Sequence, residues 1–455
     1  MVSSRQMPER GMTLVEIMIT LVISSIIAAS TFMFFAGQQR IYEAQTKLLN
    51  IQQNLWAAME VVARYSRGAG TGMFGCVKPA SWADGEAQNG TRKRSTYPSP
   101  GPLTENLDTR PQTGLRAYDP DSSSSTGMQW VPPLWIINNV AGTSPKDAAL
   151  HVLPGTDIIT VAFGNRTSGT DYDVPIGLPG VTTTDSGTPI PLDIAGAGSM
   201  FRPLEFVLLL KIPDWGYGVD PPRDDRGCTL FQITPPLQAA ALPHQNGGGG
   251  SIWNSPSGNV PALFPTDPIT SLPETNAYAP GVSGVRNFGA FTWVTFFIQQ
   301  MGTNSIPNLM MLQRHLGADA QPQVLAEGIE DLQVSFACDT GSPTTPQNLT
   351  NLDGQLNEGV DNVAHTNDAA RKTDEWWNNV PGDTLPAMGN DGFCNLPTAV
   401  RITMVSRSLA PDDLIPPNSG NRPPDIEDHR PTGPSDSFRR RVLTTTVYPR
   451  NNKPQ

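Results

Sequence analysis

Glu16 stands directly in front of an uncharged apolar run from Ile17 to Ala36. A carboxylate at the edge of the hydrocarbon region costs on the order of 2.5–3.5 kcal/mol on insertion scales, so an acid kept there needs a partner. The other residues able to do chemistry are scattered. The five histidines, His151, His244, His315, His365 and His429, stand in no recognised catalytic spacing. No G-x-S-x-G elbow, H-E-x-x-H pair or phosphate-binding glycine loop occurs. That speaks against an enzyme, because catalysis needs a nucleophile, a base and a stabiliser of developing charge brought together.

Metal and redox chemistry have one candidate each. Asp353, Asn357, Glu358, Asp361 and Asn362 lie in one glycine-containing loop, and oxygen ligands at short spacing suit calcium. Asp353, Asn357 and Asp361 are the candidate ligands, although the strict D-x-[DN]-x-[DN]-G pattern is absent. Apart from calcium at this loop, no cofactor is expected. The four cysteines, Cys76, Cys228, Cys338 and Cys394, all follow the apolar run. An even number in an exported segment points to two disulfides, with three pairings open. Cys338–Cys394 is favoured because both flank candidate C-terminal strands, which leaves Cys76–Cys228. No C-x-x-C spacing occurs, so a zinc or thiol-redox site is not expected.

The elements that must carry these residues fall into two kinds. From Met12 to about Tyr65 no proline interrupts the chain, and the sole glycine is Gly37. Beyond the apolar run, Ile41, Leu48, Ile51, Leu55, Met59 and Val62 recur at three- to four-residue steps, the mark of an amphipathic helix. About 54 helical residues would reach about 80 Å. Gly68, Gly70 and Gly72 then supply the left-handed conformations that close a helix. After Cys76 short strand-like runs alternate with Pro-, Gly-, Ser- and Thr-rich stretches, among 44 prolines and 42 glycines. Runs at Asp157–Phe163, Leu204–Ile212, Cys228–Thr234, Phe291–Gln299, Leu309–Gln313, Ile329–Ala337, Ala399–Ser406 and Arg441–Tyr448 read as strands. Leu332, Val334 and Phe336 show the period of a half-buried one. Three long loops are expected at 81–133, 165–200 and 235–285, and loops of such length are usually functional. The fold class is therefore α+β: a long N-terminal helix on a large, predominantly antiparallel β head.

The charge of −11 argues against a nucleic-acid partner, and none is expected, since a phosphate backbone needs clustered Lys and Arg. Arg439-Arg440-Arg441 reads as a solvated or paired strand edge, Arg92-Lys93-Arg94 as a polar loop, and Asp425-Ile426-Glu427-Asp428 as a solvated loop. Trp253, Trp293, Trp376 and Trp377 read as packing residues, with exposed partner anchors as the alternative.

The stretch GMTLVEIMITLVISSIIAA, beginning at Gly11, resembles the class III signal of type IV prepilins. The resemblance implies a leader over residues 1–11, a cut by the prepilin peptidase between Gly11 and Met12, and methylation of the new amine on Met12. Glu16 would then neutralise a free N-terminal amine across two subunits. An ammonium and a carboxylate attract strongly in low dielectric, and each is expensive alone. Arg5 and Arg10 would keep the leader cytoplasmic. Residues 12–66 would form the pilin helix, with 17–36 across the inner membrane, and 67–455 a periplasmic head.

Later segments resemble PilW-like minor pilins. These are Ala326–Val334, reading AEGIEDLQV, the step Pro154-Gly155-Thr156-Asp157, and the strands Thr398–Ser408 and Arg441–Asn451. The resemblance implies a minor pilin that primes or caps assembly of a type IV pilus at low copy, at the tip after assembly. Its partners would be other minor pilins, the major pilin and a tip adhesin. Two alternatives share the stem: a pseudopilin of a type II secretion system, and a surface-binding adhesin module on a pilin stem.

Overall fold

Thr13 caps a helix, α1, that runs without interruption over Leu14–Gly68. The computed structural model describes residues 13–72, 114–118, 128–131, 133–142, 148–165, 174–175, 189–192, 194–211, 227–244, 254, 283–302, 305–313, 321–337, 376–377, 399–412, 415–416, 420–431 and 434–449. The Thr13 hydroxyl accepts from the Glu16 amide at 3.3 Å, and the Glu16 acid occupies the first turn, where the helix dipole favours negative charge. Hydroxyls within the apolar half turn back onto their own helix: Thr20 donates to the Glu16 carbonyl, Ser25 to Val22, Ser30 to Ile26 and Thr31 to Ile27. A hydroxyl satisfied in this way can enter hydrocarbon without stranding a donor. An 18-residue window here has mean hydropathy 2.2, and none of it is buried against the rest of the chain.

The second half of α1 behaves differently. Ile51, Leu55, Ala58, Met59, Val62, Ala63 and Ser66 are buried, one stripe at helical spacing. The helix closes where the Ala69 amide donates to the Ser66 carbonyl, and Gly70 and Gly72 follow with φ of 75° and 82°. Gly72 also has no room for a side chain, since a Cβ there would lie 2.9 Å from the Phe288 ring.

The strands are β1 (Gly114–Tyr118), β2 (Met128–Val131), β3 (Leu134–Ile137), β4 (Ile158–Asn165), β5 (Val174–Pro175), β6 (Ile190–Pro191), β7 (Phe206–Lys211), β8 (Gly227–Gln232), β9 (Ala241–Leu242), β10 (Ser283–Gln299), β11 (Asn308–Gln313), β12 (Gln323–Glu327), β13 (Ile329–Ala337), β14 (Trp376–Trp377), β15 (Ala399–Arg407) and β16 (Arg440–Val447). A ten-stranded sheet follows the path β12-β11-β10-β7-β8-β1-β2, with β3, β4 and β5 branching from it. A four-stranded sheet has the order β14-β13-β15-β16, and β6 pairs with β9. The pairs are antiparallel except β1 with β8.

β10 is 17 residues long and begins eight positions before the apolar run that marks it in the sequence. Its first part pairs with β7 and its second with β4 and β11, and the register shifts between Asn287 and Gly289. Gly284, Asn287 and Gly289 interrupt the apolar pattern there. The Asn287 side chain repairs the bulge, accepting from the Gly289 amide at 2.8 Å and donating to Glu205 at 3.0 Å.

The stretches expected to be plain loops also carry paired strands: β1 and β2 within 81–133, β5 and β6 within 165–200, and β9 with the first residues of β10 within 235–285. Apart from β10 these strands are only two to five residues long. Periodicity alone cannot reveal such elements.

Several core clusters result. One joins α1 through Leu55, Met59 and Val62 to Ile159 and Val161 on β4, Val294 and Phe296 on β10, Leu332, Val334 and Phe336 on β13, and Ile402 and Met404 on β15. Tyr65 seals it, its ring 5.5 Å from that of Phe296. Each such fully buried aliphatic or aromatic side chain contributes about 1.5–3 kcal/mol. Another, built from Ile190, Leu192, Phe201, Val207, Phe231, Ile233, Leu242 and Val285, marks a separate lobe.

Candidate functional site: a bare stem and a buried carboxylate cluster

The helix leaves the head near Lys47, whose ammonium donates to the Pro411 carbonyl at 3.3 Å. About two turns further along, Asn54 donates to the Glu327 carbonyl at 3.3 Å. On the membrane side of these contacts the side chains are largely exposed, Glu16 among them. The stem is thus a lone apolar rod bearing one acid near its start.

The head holds a second concentration of charge, which the sequence shows in three separate places. β13 is buried on both faces: Leu332, Val334 and Phe336 enter the core beneath α1, while Asp331, Gln333 and Ser335 on the opposite face are buried as well. What covers this polar face is the tract Asp425–Arg430 from the excursion between β15 and β16. Glu427 accepts from the Ser335 hydroxyl at 2.7 Å, from the Thr403 hydroxyl at 2.9 Å and from both Nε and Nη2 of Arg401 at 3.0 and 2.8 Å. The reading of this acidic tract as a solvated loop is therefore corrected. Its partners on β13 and β15 are distant in sequence, so nothing local shows that the charge is neutralised.

Beside Glu427, His429 Nδ1 lies 2.6 Å from Asp331 Oδ2, and Gln333 bridges Asp331 Oδ1 at 2.8 Å to the Gly155 carbonyl at 2.9 Å. Asp428 accepts from Asn138 at 2.8 Å and Asn139 at 2.6 Å. Asp157 completes the cluster from the turn before β4, its two oxygens accepting the backbone amides of Asn139 at 2.8 Å and Val334 at 2.7 Å. The Pro154–Asp157 step and the AEGIEDLQV segment, picked out separately in the sequence, thus meet in space.

Two pKa values follow from this geometry. Burial, and then the Asp428 charge, raise Asp157 well above the ordinary carboxylate value against the pull of its two amides. Burial works against a charged His429, but the hydrogen bond and charge of Asp331, helped by Asp428, outweigh it and raise the imidazole. Among the described residues no group of three His, Cys, Asp or Glu is placed to hold a metal ion.

A third cluster fastens the base of the same excursion. Arg440 is buried between Glu330, at 2.5 Å, and Asp436, Arg439 pairs with Asp412, and Arg407 stacks on the Phe438 ring at 4.3 Å. Arg439 and Arg440 are thus paired, and Arg441 is exposed.

Several expected site residues lie outside the described residues: Gly11, Met12, Cys76, Cys338, Cys394, Asp353, Asn357, Asp361 and Trp253. The backbone of Cys228 lies in β8, opposite Leu210 of β7 and Leu115 of β1. Trp293 is buried in the head, and Trp376-Trp377 forms β14 against Phe336 and Ala337. Sequence reasoning missed Asp157, Asp331, Glu427 and His429 as a unit. The available signal was polar residues alternating with apolar ones in a strand next to a second charged tract.

A long N-terminal helix, bare and apolar in its first half and seated on an antiparallel β head in its second, is the architecture of a pilin. Two family models match the chain: Type IV Pilus-assembly protein W over residues 295–451 and the Prokaryotic N-terminal methylation motif over residues 6–32. No curated protein and no solved structure matches it. The C-terminal third of the chain is thus similar to the type IV pilus-assembly protein W family and its start to the prepilin methylation motif, and α1 is long and apolar enough to cross a membrane.

Proposed function

We propose that this chain is a minor pilin, which primes assembly of a type IV pilus and is carried at low copy in its tip complex. The observation that carries this reading is the mismatch between a single slender stem and a large head with several core clusters, which would crowd a thin fibre if present in hundreds of copies. The prepilin peptidase would cut between Gly11 and Met12, and Glu16 would face the methylated amine of a neighbouring subunit. A subunit at the very tip has no neighbour above it to pair with, so retention of Glu16 favours a place beneath another minor pilin. The role is structural: pilin-family domains assemble, and the head would contact other minor pilins, the major pilin and a tip adhesin.

Mass spectrometry of the mature N-terminus, from membrane and sheared-filament fractions, tests the proposal. A chain starting at N-methylated Met12 in sheared filaments, at a small fraction of the major subunit, is expected. An intact Met1, or a cut beyond Ala36, overturns it.

A second reading has its own observation. The core around Phe201, Phe231 and Leu242 lies outside both family matches, as a surface-binding module on a pilin stem would. Removing that lobe would then abolish adhesion and leave piliation intact.

A further inference from the structure

The excursion between β15 and β16 is fixed to the head by two kinds of contact. At its base are arginine–carboxylate pairs, Arg439 with Asp412 and Arg440 with Asp436 and Glu330. Arginine keeps its charge at any pH the protein meets. At its tip the Glu427–Arg401 pair is joined by contacts of an imidazole, whose charge does change with pH.

The charged groups around His429 come from every element packed on it. β13 supplies Asp331, and Asp157 in the turn before β4 interacts electrostatically with Asp331 and Asp428. The backbone of that turn closes on the ring, since a Cβ on Gly155 would lie 2.8 Å from His429 Nε2. The excursion itself supplies Asp428, together with Arg430, which pairs with Asp425 at 3.7 Å. β15 supplies Arg401, already committed to Glu427. With those two pairs neutral, His429 faces two carboxylates, Asp331 held by the head and Asp428 by the excursion.

A protonated imidazole lets Asp331 and Asp428 face each other across it. A neutral one removes the cation and leaves Asp428 repelled by Asp331. We propose that the tip of this excursion is a proton-controlled latch: residues 425–430 dock on the β13–β15 face while His429 carries a proton and lift from it when the proton is lost. The pairs at the base hold the excursion in place as its hinge. Lifting uncovers Asp331, Gln333, Ser335 and Thr403, a polar face buried when the latch is shut, and frees the half-buried Arg401. The raised imidazole supports the direction, since the docked state binds the proton more tightly than the free one.

Hydrogen exchange of the full chain in detergent micelles tests the latch, run from about pH 5.5 to about pH 8.5 and corrected for the intrinsic rate. Amide protection over 422–431 is expected to fall with rising pH above the ordinary imidazole value, by up to about tenfold per pH unit for one proton. Protection in β4 is expected to hold. His429→Gln should give a flat profile over 422–431, and Asp428→Asn should move the wild-type midpoint to lower pH. A flat profile in the wild type, or an unchanged midpoint in Asp428→Asn, overturns the proposal. So does a wild-type slope retained in His429→Gln. If His429→Gln loses protection in β4 as well, the wild-type profile and Asp428→Asn decide between latch and no latch.

Discussion

His429 Nδ1 and Asp331 Oδ2 stand 2.6 Å apart across 98 residues of chain. The contact joins the segment between β15 and β16 to the middle of β13, and through Gln333 and Asp157 to the turn before β4. One hydrogen-bonded pair therefore touches three separate stretches of sequence.

Global stability should depend on pH through two groups with the same sign. The folded His429 value is raised above its unfolded value of about 6.5, so its contribution is full below that value and lost as pH rises through the folded one. Asp157 is also raised above its unfolded value of about 3.9, so folding favours its proton, and that contribution too is lost as pH rises through the folded value. Denaturant unfolding at about pH 6 and about pH 8 should show a lower midpoint at the higher pH, with a smaller drop in His429→Gln.

The Glu330–Arg440 pair should couple strongly. Both side chains are buried, 8% and 7% exposed, so Arg440→Met leaves an uncompensated carboxylate at a cost of about 3–5 kcal/mol. Burial already raises Glu330 against the opposing hydrogen bond and charge of Arg440. Adding Glu330→Leu should recover part of the loss, and a double-mutant cycle by equilibrium unfolding reads the coupling directly.

Gly164→Ala should destabilise the junction of helix and head. A Cβ at Gly164 would sit 2.6 Å from the Phe288 ring and 2.7 Å from the Phe288 carbonyl, and Phe288 is itself fully buried. Overpacking of this kind costs about 1–3 kcal/mol, visible as a lower unfolding midpoint with an unchanged denaturant slope.

Glu16→Ala should separate insertion from assembly. Removing the acid makes the stem easier to insert, so membrane-fraction levels should hold or rise. If the acid contributes about 1.4 kcal/mol or more to docking with a neighbour, the amount recovered in sheared filaments should drop at least about tenfold. Immunoblots of the two fractions measure both effects.

The apolar half of the design was legible. The spacing of Ile51, Leu55, Met59 and Val62 marks the face that α1 buries, and the alternation of Leu332, Val334 and Phe336 marks the core side of β13. A strand read as half-buried leaves its other face to solvent, yet Asp331, Gln333 and Ser335 are covered. Their cover arrives from Glu427 and His429, and no local pattern announces a hydrogen bond between residues about a hundred positions apart. The first part of β10 was hidden for a different reason. Arg286, Asn287 and Gly289 break the apolar alternation at a bulge, which is held by Asn287 and Glu205 instead of by burial of a regular stripe.

β10 also determines how the molecule carries load. The strand crosses from the lobe-side pairing with β7 into the helix-side sheet as one continuous main chain, where β4 and β11 flank it on opposite edges over Val294–Phe296. A pull on the outer lobe directed along this strand acts on the two ladders in shear. Drawing β10 out would mean breaking rows of hydrogen bonds together, whereas a lobe hung on a loop would peel away bond by bond. Tension applied far from the membrane thus has a stiff covalent route to the core that grips α1.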